Sequence, residues 1–79
     1  MTYVRKSILK ELKHYRLIMR TALTKRMLDK YYQEVKGFIW GLYYVDAIDH
    51  SSWKRYSQYF FELWDNTKDK YDYMGEVKI

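Results

Sequence analysis

Apolar positions recur along this chain every three or four residues, which is the spacing of one face of an α-helix. In the first third of the chain they are Val4, Ile8, Leu12, Tyr15, Met19 and Ala22. In the second third the same intervals link Met27, Tyr31, Val35, Phe38, Leu42 and Val45. Further apolar residues widen this second stripe, so the pattern predicts helices over roughly 4–21 and 24–45, the second being central in the fold.

Capping residues, rather than proline, mark the two connections between helices, because the chain contains no Pro. If the first two helices formed one straight rod, their apolar stripes would point roughly 140° apart, at about 100° per residue. We therefore expect a break near residues 21–24, with Thr24 as the N-cap. Residues 46–49 end the second apolar run, and Asp49 is a good N-cap for a third helix, with Ile48 and Trp53 as a hydrophobic staple.

The third helix is predicted over residues 50–69 from one further stripe, formed by Trp53, Tyr56, Phe60, Leu63 and Trp64. The pattern fades after Thr67, and residues 74–79 are predicted to be only a tail. Residues 1–79 are therefore expected to form a single all-α domain of three helices, with an antiparallel hairpin between helices two and three.

Gly37 and Gly41 lie four residues apart on one side of helix two. Each costs about 1 kcal/mol of helix propensity relative to Ala, so a compensating contact is expected. We expect helix one or three to cross closely there, with large aromatic side chains packed over the notch. The alternative is the interface of a homodimer or a contact point for a partner.

The composition excludes several classes of protein. Hydrophobic residues make up 48% and aromatic residues 20% of the 79, which is too apolar for a disordered chain of this charge. There is no Cys, so no disulfide or thiolate zinc site is expected. Charged residues from Lys10 onward interrupt any signal peptide, and residues 37–45 are too short to cross a membrane. We expect a cytoplasmic protein, in the producing or host cell, with no membrane partner.

Positive charge is concentrated in the first half of the chain. Residues 1–36 hold ten Lys and Arg against three acidic residues, whereas residues 37–79 hold five against seven. On helix one the basic residues form a line of about 21 Å opposite the apolar face. These residues are Lys6, Lys10, Lys13, Arg16 and Arg20.

This basic line has three interpretations. It is the solvated face of an amphipathic helix, a surface for an acidic protein, or a surface for nucleic acid. Five contacts with duplex phosphates would give a log–log salt slope near −4.5, at about −0.9 per contact. An acidic line on helix three, formed by Glu62, Asp65, Asp69 and Asp72, pairs with the basic helix, meets a basic partner, mimics phosphates or is simply solvated.

Tyrosines are the other candidate binding residues. The neighbours Tyr31 and Tyr32, and likewise Tyr43 and Tyr44, cannot both face inward, so one of each pair is expected at the surface. We select Tyr32 and Tyr44, together with the basic line, as partner- or nucleic-acid-binding residues. Exposed Tyr beside Lys and Arg is typical both of protein-binding hot spots and of stacking surfaces for single-stranded nucleic acid.

Catalytic and metal-binding patterns are absent from the sequence. His14 and His50 are 36 residues apart, with no Cys nucleophile and no glycine-rich phosphate-binding motif. We therefore expect no enzyme activity, no catalytic residue, no metal site and no cofactor.

In general character, this short Lys- and Tyr-rich chain without Cys or Pro resembles the small accessory proteins of phages and mobile elements, many of which bind and inhibit a host protein. The resemblance implies a non-enzymatic inhibitor or modulator, such as an anti-defence protein, that covers a functional surface of a larger protein or nucleoprotein complex. The alternative is direct nucleic-acid binding with little sequence preference, through the basic face of helix one.

Overall fold

The computed structural model describes the backbone of residues 2–78 and the side chains of residues 5–78. Helix α1 spans Thr2–Arg20, α2 spans Lys25–Tyr44 and α3 spans His50–Thr67, and a 3-10 turn follows at Lys68–Lys70. These bounds differ from the predicted ones by at most two residues at any end. The all-α, three-helix fold is confirmed.

Both predicted N-caps are present. The Thr24 hydroxyl accepts a hydrogen bond of 3.1 Å from the Met27 amide, and the Asp49 carboxylate accepts one of 2.7 Å from the Ser52 amide. Each satisfies one of the amides that a helix leaves free in its first turn. Helix α2 ends where Asp46 adopts a left-handed backbone (φ 60°) and the Ala47 amide donates to the Leu42 carbonyl at 2.8 Å.

Helices α2 and α3 form the expected antiparallel hairpin. Trp64, near the end of α3, stacks on Tyr32 in the first half of α2, with ring centroids 5.4 Å apart. Trp53, near the start of α3, packs against Trp40 and Tyr43 in the last turns of α2, at 5.1 and 5.2 Å. Residue numbers therefore rise along one helix as they fall along the other.

The core is centred on α2, as the sequence predicts. The fully buried side chains of the core are Leu28, Val35 and Ile39 of α2 and Met19 of α1. Around them lie other buried residues of α1 and its connection to α2, namely Ile8, Leu12 and Ala22. Helix α3 contributes one buried residue, Phe60, among the described side chains, and its other apolar residues are only partly covered. The Val4 side chain, expected on the α1 stripe, lies outside those described.

The expected close crossing at Gly37 and Gly41 is wrong. A Cβ atom built at either glycine meets nothing within 4 Å. Because Leu28, Val35 and Ile39 turn one side of α2 into the core, the two glycines fall on the opposite, exposed side. Nothing in the described residues compensates for their helix propensity, and the homodimer interpretation stays a prediction.

Residues 70–78, here called the C-terminal segment, form a folded turn, although the apolar pattern fades after Thr67 and the sequence predicted only a tail over 74–79. The Asp72 carboxylate accepts hydrogen bonds from the Met74 and Glu76 amides, and Gly75 has φ +82°. The segment packs on the α1–α2 connection, because the buried Tyr71 donates its hydroxyl to the Ala22 carbonyl at 2.7 Å. Ile79 lies outside the described residues.

Backbone groups left free by the two helix ends explain this arrangement. The first amide of α2, at Lys25, donates to the Gly75 carbonyl at 2.8 Å. The Lys70 ammonium donates to the Arg20 carbonyl, the last of α1, at 2.6 Å. Helix termini require such partners, so the C-terminal segment completes the α1–α2 corner.

Candidate functional site

The basic line predicted on α1 is exposed along its whole length but faces more than one direction. Lys13 and Arg16 lie at the side of α1 that faces α3. Lys10 lies in a separate shallow depression, together with Ser7, Glu11 and His14. Lys6 is exposed, and Arg20 is exposed at the α1–α2 corner.

The cations of α1 have no acidic partners within the described side chains. The two ion pairs in that part of the chain are Lys25–Asp29 on α2 and Asp65–Lys68 at the end of α3. The predicted acidic line therefore does not pair with the basic helix. It is also not continuous, because α3 ends at Thr67, which leaves Asp69 in the 3-10 turn and Asp72 in the C-terminal turn. Positive charge on α1 is left available to solvent or to a partner.

An open groove runs between α1 and α3. Two hollows, of about 610 and 290 Å³, share Leu9, Arg55 and Tyr56 in their walls and so form one continuous surface. On the α1 side this surface reaches from Arg5 to Arg16, about 16 Å at 1.5 Å per residue. We call it the α1–α3 groove.

The floor of the smaller hollow is apolar. Leu12 and Phe60 are buried at its base, while Leu9 and Tyr59 remain 40% and 44% exposed above them. Helix α1 places a leucine here rather than an aromatic ring, and its neighbours on the same side are long, charged residues. Helices α1 and α3 consequently pack together at the buried Leu12 and Phe60, and the groove stays open to solvent at Leu9 and Tyr59.

The charge of the groove changes along its length. Lys13, Arg16 and Arg55 line the smaller hollow, which has no acidic residue in its walls. The larger hollow has Arg5 and Arg55 together with Asp46 and Asp49 at the α2–α3 connection. The hydrogen bond from the Ser52 amide, with a smaller contribution from Arg55, holds the pKa of the Asp49 carboxyl below its usual range, so this N-cap stays ionised at neutral pH.

The two tyrosines predicted as binding residues lie outside the groove. Tyr32 is half-buried, stacks on Trp64 and faces a cavity of about 110 Å³ between α2 and α3, and burial raises the pKa of its hydroxyl. Tyr44 is 84% exposed at the end of α2. The structure therefore brings together Lys13 and Arg16 of the predicted site, but neither tyrosine with them.

Sequence reasoning missed Arg5, Leu9 and Arg55 as candidate site residues, and it did not select Tyr59. One signal was present: Leu9 falls off the apolar stripe of α1, among charged residues. Arg55 and Tyr59 lie four residues apart, and hence on one side of α3. Nothing in the local sequence shows that this side meets Leu9.

The described residues contain no group of three or more His, Asp or Glu side chains placed to hold a metal ion. His50 packs against Trp53 and lies 3.2 Å from the Tyr43 hydroxyl through Nδ1, which is a structural contact. Within the same part of the chain, each helix is too short or too polar to span a lipid bilayer.

Comparisons with protein-family models, with curated proteins and with solved structures gave no match. The α1–α3 groove and the unpaired cations of α1 are therefore the features from which a function has to be inferred.

Proposed function

We propose that this protein is a non-enzymatic binding protein that acts as a stoichiometric inhibitor or modulator. It occupies a functional surface of a larger protein or nucleoprotein complex and thereby excludes other ligands from it. The observation that carries this proposal is the α1–α3 groove, which the fold leaves uncovered and whose smaller hollow is apolar and bordered by cations. Exposed apolar surface rimmed by polar groups is typical of protein-binding sites.

The groove is only the central part of the proposed interface. A stable protein interface buries about 800 Å² on each partner, so the exposed flanks of α1 and α3 are included. Leu17, which is 60% exposed on α1, and Lys10 extend the same helix beyond the groove. The apolar floor supplies affinity, and the cations around it increase the rate and selectivity of association.

The cellular setting belongs to the same proposal. A small chain without Cys is compatible with a reducing cytoplasm, either of the producing cell or of its host. The resemblance to phage and mobile-element accessory proteins favours a host protein, for example one used in defence, as the target.

A photo-crosslinking amino acid in place of Tyr59 tests this proposal. The matched control carries the same group in place of Gln33, an exposed residue of α2 that lines neither hollow. Irradiation in a nuclease-treated lysate is expected to give a single protein adduct from position 59, containing one copy of this chain and one copy of the partner. No adduct is expected from position 33. Equal, diffuse labelling from both positions would contradict the proposal.

Nucleic-acid binding is the second candidate function, because the cations of α1 are exposed and lack ion pairs within the described side chains. It requires the helix surface but not the groove. Replacing Lys6, Lys10 and Arg20, which line neither hollow, with Glu should then abolish binding to duplex DNA. With five phosphate contacts, the unmodified protein should show a log–log salt slope near −4.5, at about −0.9 per contact. An affinity for DNA that does not depend on salt would exclude this candidate.

A further inference from the structure

The shape and charge of the α1–α3 groove restrict what it accepts. We infer that it binds an acidic amphipathic α-helix of the partner protein, whose apolar stripe enters the groove and whose carboxylates pair with Lys13, Arg16 and Arg55 around the smaller hollow, away from Asp46 and Asp49. This inference rests on the proposed binding function and adds the chemical class of the partner segment.

The dimensions of the groove fit a helix. Its length of about 16 Å corresponds to about three helical turns, at 5.4 Å per turn. Binding of this kind uses apolar side chains of the ligand at positions i, i+3 or i+4, and i+7. The smaller hollow lies between two helices, whose backbone amides and carbonyls are already bonded. An extended peptide would find no backbone partners over this hollow, whereas a helix satisfies its own backbone.

The floor requires apolar side chains from the ligand. Leu9 and Tyr59 stand 40% and 44% exposed on either side of the buried Leu12 and Phe60. Leucine-sized side chains placed between them would remove this surface from water, at about 25 cal/mol per Å² of apolar area.

The walls require carboxylates. Lys13, Arg16 and Arg55 line the smaller hollow without an acidic residue among them. A neutral helix over this hollow would leave the three cations without partners, and a basic helix would be repelled by them. Glutamate or aspartate residues flanking the apolar stripe of the ligand pair with them instead. The net charge of +5 argues against a second copy of this chain as the ligand.

Single-stranded nucleic acid fits the groove less well. Its bases need free aromatic faces for stacking, but the Arg55 guanidinium lies over the Tyr56 ring at 5.6 Å, and Tyr59 contacts Phe60 edge to face. Leu9 and Leu12 contribute apolar surface that phosphates do not use. The groove therefore favours a protein helix, and an oligonucleotide serves as a competitor in the test.

The test measures binding of a fluorescent, helix-stapled peptide of about 15 residues, with leucines at helical spacing and glutamates on both sides of them. The control peptide has the same composition with the leucines distributed around the helix. Fluorescence anisotropy with the full chain is expected to show affinity at least about tenfold higher for the amphipathic peptide, a difference of about 1.4 kcal/mol.

Two matched pairs of variants locate the site. Leu9→Glu, in the groove, is compared with Leu23→Glu, at an exposed leucine of the α1–α2 connection that lines neither hollow. Arg16→Glu is compared with Lys30→Glu, which changes an equal charge at an exposed position of α2 outside the groove. Each groove variant should weaken peptide binding about tenfold and each control less than about twofold, the difference reflecting lost contact rather than net charge. Far-UV circular dichroism verifies that each variant is folded. If Leu9→Glu is unfolded, the comparison of Arg16→Glu with its control provides the test.

Equal binding of the two peptides, or equal effects of the groove and control variants, would overturn the inference. If the crosslinker at position 59 still captures one protein in that case, the proposed function stands and only the helical, acidic ligand is wrong. If a single-stranded oligonucleotide displaces the peptide at lower concentration and no protein is captured, both proposals fail.

Discussion

Helix α3 meets its two neighbours through surfaces of different kinds. Toward α2, the Trp64 indole stacks on Tyr32, donates to the Asp29 carboxylate at 2.7 Å and lies beneath the ammonium groups of Lys25 and Lys68. Toward α1, Leu9 and Tyr59 stand apart, with cations around them. The α2–α3 interface is packed mainly with aromatic rings around a cavity of about 110 Å³, whereas the α1–α3 interface is left open.

The difference follows from the side chains at equivalent positions of the flanking helices. Rings such as Tyr32 and Trp40 are wide enough to cover the gap between helix cylinders. Two rings of this interface also have polar partners, Trp64 in Asp29 and Tyr43 in His50, whereas the buried Trp53 indole N–H has none. The corresponding side of α1 carries Leu9, Lys13 and Arg16, whose charged ends stay in water. The packed α2–α3 interface can therefore stabilise this small domain while the open α1–α3 interface stays free to bind a partner.

Replacing Trp64 with Ala should have the largest effect on the free energy of unfolding. It removes the stacking on Tyr32 and the hydrogen bond to Asp29, so we expect a loss of about 3 kcal/mol in urea denaturation followed by circular dichroism. Tyr59→Ala, the matched change in the open groove, should cost less than about 1 kcal/mol. Equal losses would mean that the α2–α3 and α1–α3 interfaces stabilise the fold to the same extent.

Tyr71→Phe tests whether the packing of the C-terminal segment on the α1–α2 connection stabilises the fold. It deletes the hydroxyl that donates to the Ala22 carbonyl, and a buried carbonyl without a partner costs about 1 to 2 kcal/mol. Thermal and urea unfolding should both register this loss. The control is Tyr73→Phe, since Tyr73 is 97% exposed, and an equal loss there would exclude a specific role for the Tyr71 hydroxyl.

The exposed glycines of α2 should be replaceable with a gain in stability. Gly37→Ala and Gly41→Ala each add a Cβ that meets nothing, so each should raise the free energy of unfolding by about 1 kcal/mol through helix propensity. Gly75→Ala should lower it instead, because φ is +82° there. If the α2 variants lose partner binding while gaining stability, the glycine face belongs to the interface.

Acid should weaken the α2–α3 interface by protonating the Asp29 carboxylate, which accepts a hydrogen bond from Trp64. Burial raises the pKa of the Asp29 carboxyl, but hydrogen bonds from Trp64 and Lys25 together outweigh burial, so the pKa in the fold is below the ordinary value. Its stabilisation is therefore complete above about pH 4 and is lost as pH falls through the lowered folded value. The carboxylate is partly exposed, which limits the contribution to less than about 1 kcal/mol.

Urea denaturation between neutral pH and about pH 3 checks the role of Asp29. The Asp29→Asn variant should lose less stability on acidification than the unmodified protein does. Asp69→Asn, at an exposed position in the 3-10 turn, is the control and should leave the acid dependence nearly unchanged. Identical acid dependence in all three proteins would exclude a role for the Asp29 carboxylate.

The helices and their starts were predictable because they depend on local sequence. Apolar spacing and the side chains of Thr24 and Asp49 act within one or two turns of the backbone they organise. The turn of the C-terminal segment also had a local signal, since Asp72 and Gly75 stand at the first and fourth positions of a typical β-turn. That this turn covers the start of α2 depends on contacts about fifty residues apart, which no local pattern contains.

The groove was not predictable in the same way. The spacing of Lys10, Lys13 and Arg16 places all three on the polar side of α1, but the position of α3 decides which of them line a groove. Arg55 joins them from another helix. Gly37 and Gly41 show the reverse case, because a pattern associated with close helix crossing is left facing solvent here.

The hydrogen bonds of the C-terminal segment also bear on the order of folding. Those from Lys70 and Tyr71 join residues 50 and 49 positions apart, whereas each helical hairpin forms from nearer contacts. Distant contacts form more slowly, because closing a longer loop costs more chain entropy. We expect this closure to complete folding. The Lys25 amide, which donates to Gly75, should therefore exchange with solvent through local opening of the segment, at a rate separate from that of global unfolding.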